Sequence, residues 1–133
     1  MKNDCDLVAF KNKIDFKWNN KFPINSLFLM RGYISINQDI RKKYLDHCFD
    51  AYWKYNIDIS TLENIKKILK KNNIDEKIFF SKIESQQIKD ELKRLTNEAF
   101  ENDVFGAPTF IVNNKIFWGQ DRLSYALEEY NSK

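Results

Sequence analysis

The 133-residue chain has only two cysteines, Cys5 and Cys48, far apart and without a C-x-x-C spacing. A dithiol redox site needs two thiols within one turn, so disulfide exchange inside this chain is disfavoured. There is one histidine, His47, beside Cys48. Neighbours on a helix diverge by about 100°, which argues against a Cys–His nucleophile and for a buried Cys48 with a surface His47. No cluster of metal-ligating residues is expected. Neither charge sign dominates: the net charge is +3, with lysines and acids interleaved along helical stretches. Such a surface is solvated, and nucleic-acid binding is not implied. No apolar run approaches a membrane span, and Met1 is not followed by a signal-like apolar core. The expectation is a soluble cytoplasmic protein with no membrane partner. Repeats are absent too.

What is present is a 43% hydrophobic and 15% aromatic composition, enough for one domain with a modest core. Met1 to Lys13 reads as a short helical entry. Lys13 to Trp18 alternates, with Ile14, Phe16 and Trp18 on one face, and predicts a half-solvated strand. After Pro23, Asn25 or Ser26 can cap a helix carrying Leu27, Met30 and Ile34. A second helix places Ile40, Tyr44, Cys48, Ala51 and Tyr55 on one stripe, and Leu45, Phe49 and Trp53 on an adjacent one. Both sides of that helix are expected to be covered, with Phe49, Tyr52 and Trp53 as core. Ser60-Thr61-Leu62-Glu63 reads as a capping box before a helix with Leu62, Ile65, Ile68 and Leu69 inward. Asn72-Asn73 closes it. Asp75 opens a short helix with Ile78, Phe79 and Ile83, and Ser85 a long one with Ile88, Leu92, Leu95 and Ala99 inward.

The most informative stretch runs from Val104 to Leu123. Thr109 to Val112 and Ile116 to Trp118 are β-branched and aromatic, and Asn113-Asn114 between them tolerates positive φ, so a hairpin is predicted. Gly119 breaks the second strand, and Gln120 or Asp121 can cap a helix beginning at Arg122. Pro108 stands just before the first strand, where no ladder donor is lost and a cis bond is accessible.

The phrases F-G-A-P-T-F-I-V and F-W-G-Q-D-R-L, with F-K-W-N-N-K-F-P-I-N-S-L-F-L-M-R, A-Y-W and D-I-S upstream, resemble 2-hydroxychromene-2-carboxylate isomerases and kappa-class glutathione transferases. Those families lie in the DsbA-like branch of the thioredoxin superfamily. The resemblance covers the chain from about Ile14 onward. It implies an α/β, thioredoxin-like fold with an all-helical insertion, lacking the first βα unit and central strand. As domains, it implies a single domain over 1–133, incomplete at its N-terminus, with the insertion at about 25–103 and the hairpin plus helix at 107–131.

By the same resemblance glutathione is the cofactor. Ala107 and Pro108 offer backbone to its cysteinyl unit, in the manner of strand addition. Gln120 and Asp121 receive its γ-glutamyl end, the carboxylate pairing with the ammonium and free N–H groups meeting the α-carboxylate. On the residues alone, F-G-A-P is equally a tight turn and Asp121 a helix cap. Trp18, Phe22 and Asn25 fall at the implied substrate wall, although Asn25 also suits a cap. The implied activity is glutathione-dependent isomerisation of 2-hydroxychromene-2-carboxylate or a similar conjugated aromatic acid. The serine that holds the sulfur as thiolate belongs to the βα unit this chain is expected to lack. No catalytic residue is therefore assigned to it, neither Ser26 nor Ser35 substitutes, and activity is expected to be impaired. A homodimer or a complementing N-terminal segment could pair the open edges. The alternatives are a kappa-like transferase, a DsbA-like oxidoreductase fragment, or a non-catalytic binding module.

Overall fold

The computed structural model describes residues 1–132. Helices α1 (Lys2–Lys11), α2 (Leu27–Ser35), α3 (Gln38–Phe49), α4 (Leu62–Lys71), α5 (Glu76–Glu84) and α6 (Gln86–Glu101) precede a hairpin of β1 (Thr109–Val112) and β2 (Lys115–Trp118). A 3₁₀ turn, Gln120–Arg122, then leads into α7 (Leu123–Asn131). The chain packs as two units, Met1–Leu92 and a second that begins at Lys93, within α6. No helix among the described residues is long and apolar enough to cross a membrane.

The core of the first unit joins Leu29 and Ile36, Tyr44 and Cys48 of α3, Ile65, Ile68 and Leu69 of α4, and Phe79 and Ile83 of α5. The α4 stripe follows helical spacing, so three apolar side chains enter the core from one face. Gly32 is what lets α2 approach closely: a Cβ there would lie 2.5 Å from the Phe79 ring and 2.6 Å from the Tyr44 hydroxyl. Cap chemistry sets the helix starts. The Asp75 carboxylate accepts from the Ile78 N–H at 2.8 Å, and Ser85 Oγ from the Ile88 N–H at 3.4 Å.

Several expectations are corrected. No strand forms at 13–18; the Lys17 N–H donates to the Trp53 carbonyl at 2.6 Å, but that bond belongs to no ladder. An extended segment becomes a strand only with a ladder partner, and β1 pairs with β2 alone among the described residues. The α4 cap is Thr61, one residue beyond the expected Ser60, whose hydroxyl instead donates to Asp58. Leu62 and Ile78, expected inward, are exposed, as are Leu27, Met30 and Leu95. His47 is half-buried, with its Nδ1 3.1 Å from Asn72 Oδ1. The Asn72 Nδ2 already donates to the Ile68 carbonyl, so Oδ1 is the acceptor and His47 Nδ1 carries the proton.

The largest departure follows α3. Asp50–Lys54 forms a π-helical turn, closed by the Tyr55 N–H donating to the Asp50 carbonyl at 2.9 Å. A π turn inserts a residue into the helical phase. Tyr55, after the turn, is thereby exposed at 53%, while Tyr52 is buried at 5%; Leu45 and Phe49, ahead of the turn and also expected inside, are exposed at 41% and 57%. The second apolar stripe of this helix is therefore open.

In the second unit the hairpin register pairs Thr109 with Trp118 and Val112 with Lys115, leaving Asn113 (φ 50) and Asn114 (φ 61) in the turn. Side chains alternate as a pleat requires: Phe110, Val112 and Phe117 are half-buried, Ile111, Ile116 and Trp118 exposed. Helix α7 lies along the hairpin through the buried Ala126. Its last turn is tied to the hairpin turn by Lys115 Nζ on Glu129 Oε2 at 2.6 Å and Asn113 Nδ2 on Glu129 Oε1 at 3.0 Å.

Candidate functional site

In the hairpin unit, the Ala107–Pro108 bond is cis. The Pro108 carbonyl accepts from the Gly119 N–H at 2.9 Å, extending the ladder one step beyond Thr109 and Trp118. The Thr109 hydroxyl donates to the Gly106 carbonyl at 2.6 Å, holding the turn that presents Ala107. The Trp118 indole nitrogen crowds Gly106 so closely that a Cβ there would lie 2.4 Å from it. No hydrogen bond among the described residues engages the N–H or carbonyl of Ala107, which is exposed. The backbone expected to meet a ligand is thus free to do so.

Gly119, at φ 107 and ψ 151, turns the chain out of β2 in a conformation that side chains rarely adopt. Gln120 and Asp121 follow in the 3₁₀ turn, both exposed. Neither side chain caps α7, and α7 starts at Leu123 rather than Arg122, which corrects the expectation of a side-chain cap. The first turn closes through its backbone, with the Arg122 N–H donating to the Gly119 carbonyl at 3.1 Å. That leaves the N–H groups of Gln120 and Asp121 without a backbone partner among the described residues, beside the Asp121 carboxylate. Arg122 Nη1 stands 3.5 Å from Asp121 Oδ2, an exposed pair of small energetic weight.

In the first unit, Trp18 belongs to an aromatic cluster. Its ring meets Phe22 at 4.9 Å and Trp53 at 5.8 Å, both edge-on, and Phe16 stacks on Trp53 at 5.5 Å. The buried Asn19 anchors this cluster. Its Nδ2 donates to the carbonyls of Tyr52 and Ile57 at 2.8 and 3.2 Å, and its Oδ1 accepts from the Lys21 N–H at 2.8 Å. These bonds satisfy carbonyls at the end of the π turn, where the α-helical ladder stops. Asn25 precedes Ser26, the N-cap of α2, whose own side chain makes no cap bond; the Asn25 Oδ1 accepts from the Leu27 N–H at 3.0 Å, and Asn25 is exposed.

Two cavities flank Trp53 and Phe22. One, of about 490 Å³, contains Trp18, Ile14 and Phe16 in its wall, with the ion pair of Asp15 and Lys54 (2.9 Å) at its edge. The side-chain hydrogen bond and charge of Lys54 hold the Asp15 carboxyl below its ordinary range. The other, of about 410 Å³, lies between α2, α3 and the π turn. Asn25 is in the wall of neither. Trp53 and Asn19 were not singled out as site residues from the sequence. The repeat of Trp at positions 18 and 53 was the available signal, but the π turn that aligns them has none.

Tyr44 and Cys48 both line the second cavity, and burial pushes the Cys48 thiol up to about 11. A thiol so protonated is a poor nucleophile.

The description "DSBA-like thioredoxin domain" matches residues 1–131. A 2-hydroxychromene-2-carboxylate isomerase from Sphingobium xenophagum is 27% identical over 93 residues, spanning 70% of this chain and 47% of that protein. A solved 2-hydroxychromene-2-carboxylate isomerase (HCCA isomerase) superposes with a TM-score of 0.82 at 24% identity, over 96% of this chain and 62% of that one. The chain thus spans about half the length of the curated relative it matches. With the hairpin, the helical insertion and the match over nearly every residue in agreement, the chain belongs to the DsbA-like thioredoxin domain family.

Proposed function

We propose that this chain is part of a glutathione-dependent isomerase acting on 2-hydroxychromene-2-carboxylate or a similar conjugated aromatic acid. The observation that carries the reading is the unpaired backbone at Ala107, together with the free N–H groups of Gln120 and Asp121 beside a carboxylate. These are the donor and acceptor types a γ-glutamyl-cysteinyl backbone needs. On this reading Ala107 and Pro108 hold the cysteinyl unit, and Gln120 and Asp121 the γ-glutamyl end. Trp18 supplies a ring surface for the aromatic acid, while Asn25 keeps its bond to the Leu27 N–H. Bound glutathione supplies a thiol able to add reversibly to a conjugated double bond and leave after rotation. The hairpin unit's residues would orient that thiol.

None of its own side chains is assigned the task of ionising the thiol. Cys48 is buried, and the Ser35 hydroxyl donates to the Gly32 carbonyl at 2.9 Å. Binding without differential stabilisation of the thiolate lowers no barrier, so the isolated chain binds glutathione and isomerises poorly. The test is calorimetry with reduced glutathione, followed by absorbance assays of isomerisation. Asp121→Asn is expected to weaken glutathione binding several-fold while the urea midpoint stays put, because the carboxylate caps no helix. Unchanged binding in that variant would remove Asp121 from the site, and absent binding by the folded chain would sink the reading.

A further inference from the structure

The cavity beside Trp18 joins a broad ring surface to an ion pair. It measures about 490 Å³, within the range of small-molecule pockets. Phe16 lies nearly flat on Trp53, with 24° between the rings, and Trp18 and Phe22 complete the aromatic wall. The charged side chains of the wall are Asp15, Asp50 and Lys54, so Lys54 is its only basic one.

The Asp15 carboxylate stands 2.9 Å from the Lys54 ammonium, which shows that a carboxylate at this edge finds a charged donor. The two partners are held unequally. The Lys54 side chain is 35% exposed, and its ammonium also lies over the Tyr55 ring at 5.6 Å. The Asp15 side chain is 77% exposed and comes from the extended segment that pairs with no strand among the described residues. Asp15 can therefore turn out into water at small cost, since an exposed pair contributes little to stability. An incoming acid exchanges one carboxylate for another on Lys54 and also buries its rings against Trp18 and Trp53, so the exchange favours the ligand. A neutral aromatic gains the ring contacts alone.

We infer that Lys54 is the residue that selects an acid at this cavity: its ammonium takes the carboxylate of the aromatic ligand in place of Asp15, with the ligand rings against Trp18 and Trp53. The inference rests on the isomerase reading for the class of ligand. To that reading it adds the group that distinguishes an acid from an uncharged ring system, and the internal carboxylate that competes for it. The residues concerned run no further than Lys54, so the glutathione contacts assigned to the hairpin unit give a separate readout.

The experiment titrates the intact chain with 2-naphthoate and with its uncharged counterpart 2-naphthamide, followed by calorimetry and by ligand-observed NMR. Saturable one-to-one binding of the naphthoate is expected, tighter than that of the amide, with the gap narrowing as added salt screens the charge. Lys54→Met keeps most of the stem and should lower naphthoate affinity about tenfold, the scale of one charge-assisted hydrogen bond, leaving the amide unchanged. Asp15→Ala removes the competitor and should raise naphthoate affinity about threefold, the scale of an exposed ion pair. Circular dichroism confirms that both variants are folded. Glutathione binding should be the same in Lys54→Met as in the parent. Failure of the naphthoate results with glutathione still bound counts against Lys54 alone; loss of glutathione binding with the naphthoate results intact counts against the glutathione site alone. No saturable naphthoate binding, equal affinity for the amide, undiminished naphthoate affinity in Lys54→Met, or weaker naphthoate binding in Asp15→Ala overturns the inference.

Discussion

The Asn19 side-chain amide donates 2.8 Å to the Tyr52 carbonyl, joining the segment ahead of α2 to the π turn after α3. That bond and its companion to Ile57 fix where Trp18, Phe22 and Trp53 meet.

Asn19→Ala should therefore destabilise the protein by about 1–3 kcal/mol, the cost of leaving buried carbonyls without donors. The same variant should shift the tryptophan emission, since the aromatic cluster loses its anchor. Urea titration followed by fluorescence and by circular dichroism checks both. A change confined to the emission would mean that water replaces the amide.

Gly32→Ala should also destabilise. Alanine favours helices over glycine by about 1 kcal/mol, but a Cβ 2.5 Å from the Phe79 ring and 2.6 Å from the Tyr44 hydroxyl has nowhere to go. Both neighbours are 1% exposed, so neither can swing into solvent, and the net loss should be about 1–3 kcal/mol. Phe79→Leu in the same chain should recover part of it, giving a non-additive double-mutant cycle. Additive losses would show that the helix moves instead.

Cys48 makes stability fall in alkali. Burial raises the folded-state thiol from its ordinary 9.0 to about 11, so in that interval the unfolded chain gives up its proton first. The contribution is full below pH 9 and disappears as pH climbs through about 11, amounting to about 2–3 kcal/mol. Urea midpoints of the parent and of Cys48→Ala should converge over that range, the lysines being common to both. Thiol titration at pH 8 should label the half-exposed Cys5 well before Cys48.

Gly119→Ala should lose about 1–3 kcal/mol, because φ 107 with ψ 151 is a backbone conformation that a Cβ opposes. The added carbon would also lie 2.6 Å from Asp121 Oδ1, but that carboxylate is exposed and can move aside. A second change, Asp121→Ala, should consequently fail to restore stability. Restoration would place the cost in the side-chain clash.

The hairpin was legible because its information is local. Alternating β-branched and aromatic residues, an Asn-Asn turn and a closing glycine specify the register from within fifteen or so residues, about the span of a hairpin with its turns. The helical insertion was legible in its stripes: Ile65, Ile68 and Leu69, or Phe79 and Ile83, enter the core as spaced. Its boundaries were less so, since Ser60 and Thr61 are both good caps and only the placement of Asp58 beside Ser60 selects Thr61. The pairing of Ala107, Pro108, Gln120 and Asp121 around one turn also came from local order, with the ladder bond between Pro108 and Gly119 bringing the two stretches together.

Local sequence determined the element types, the hairpin register and the family of this chain, because propensity, turn chemistry and apolar period act over a few residues. Tertiary structure alone decided the rest. Lys13 to Trp18 has the alternation of a strand, but a strand is a property of two segments, and no ladder partner lies beside it among the described residues. The π turn at Asp50–Lys54 carries no local signature either. It is held by Asn19 from far earlier in the chain, and by shifting the helical phase it leaves Tyr55 exposed, although an unbroken helix would have kept that residue on the stripe of Tyr44, Cys48 and Ala51.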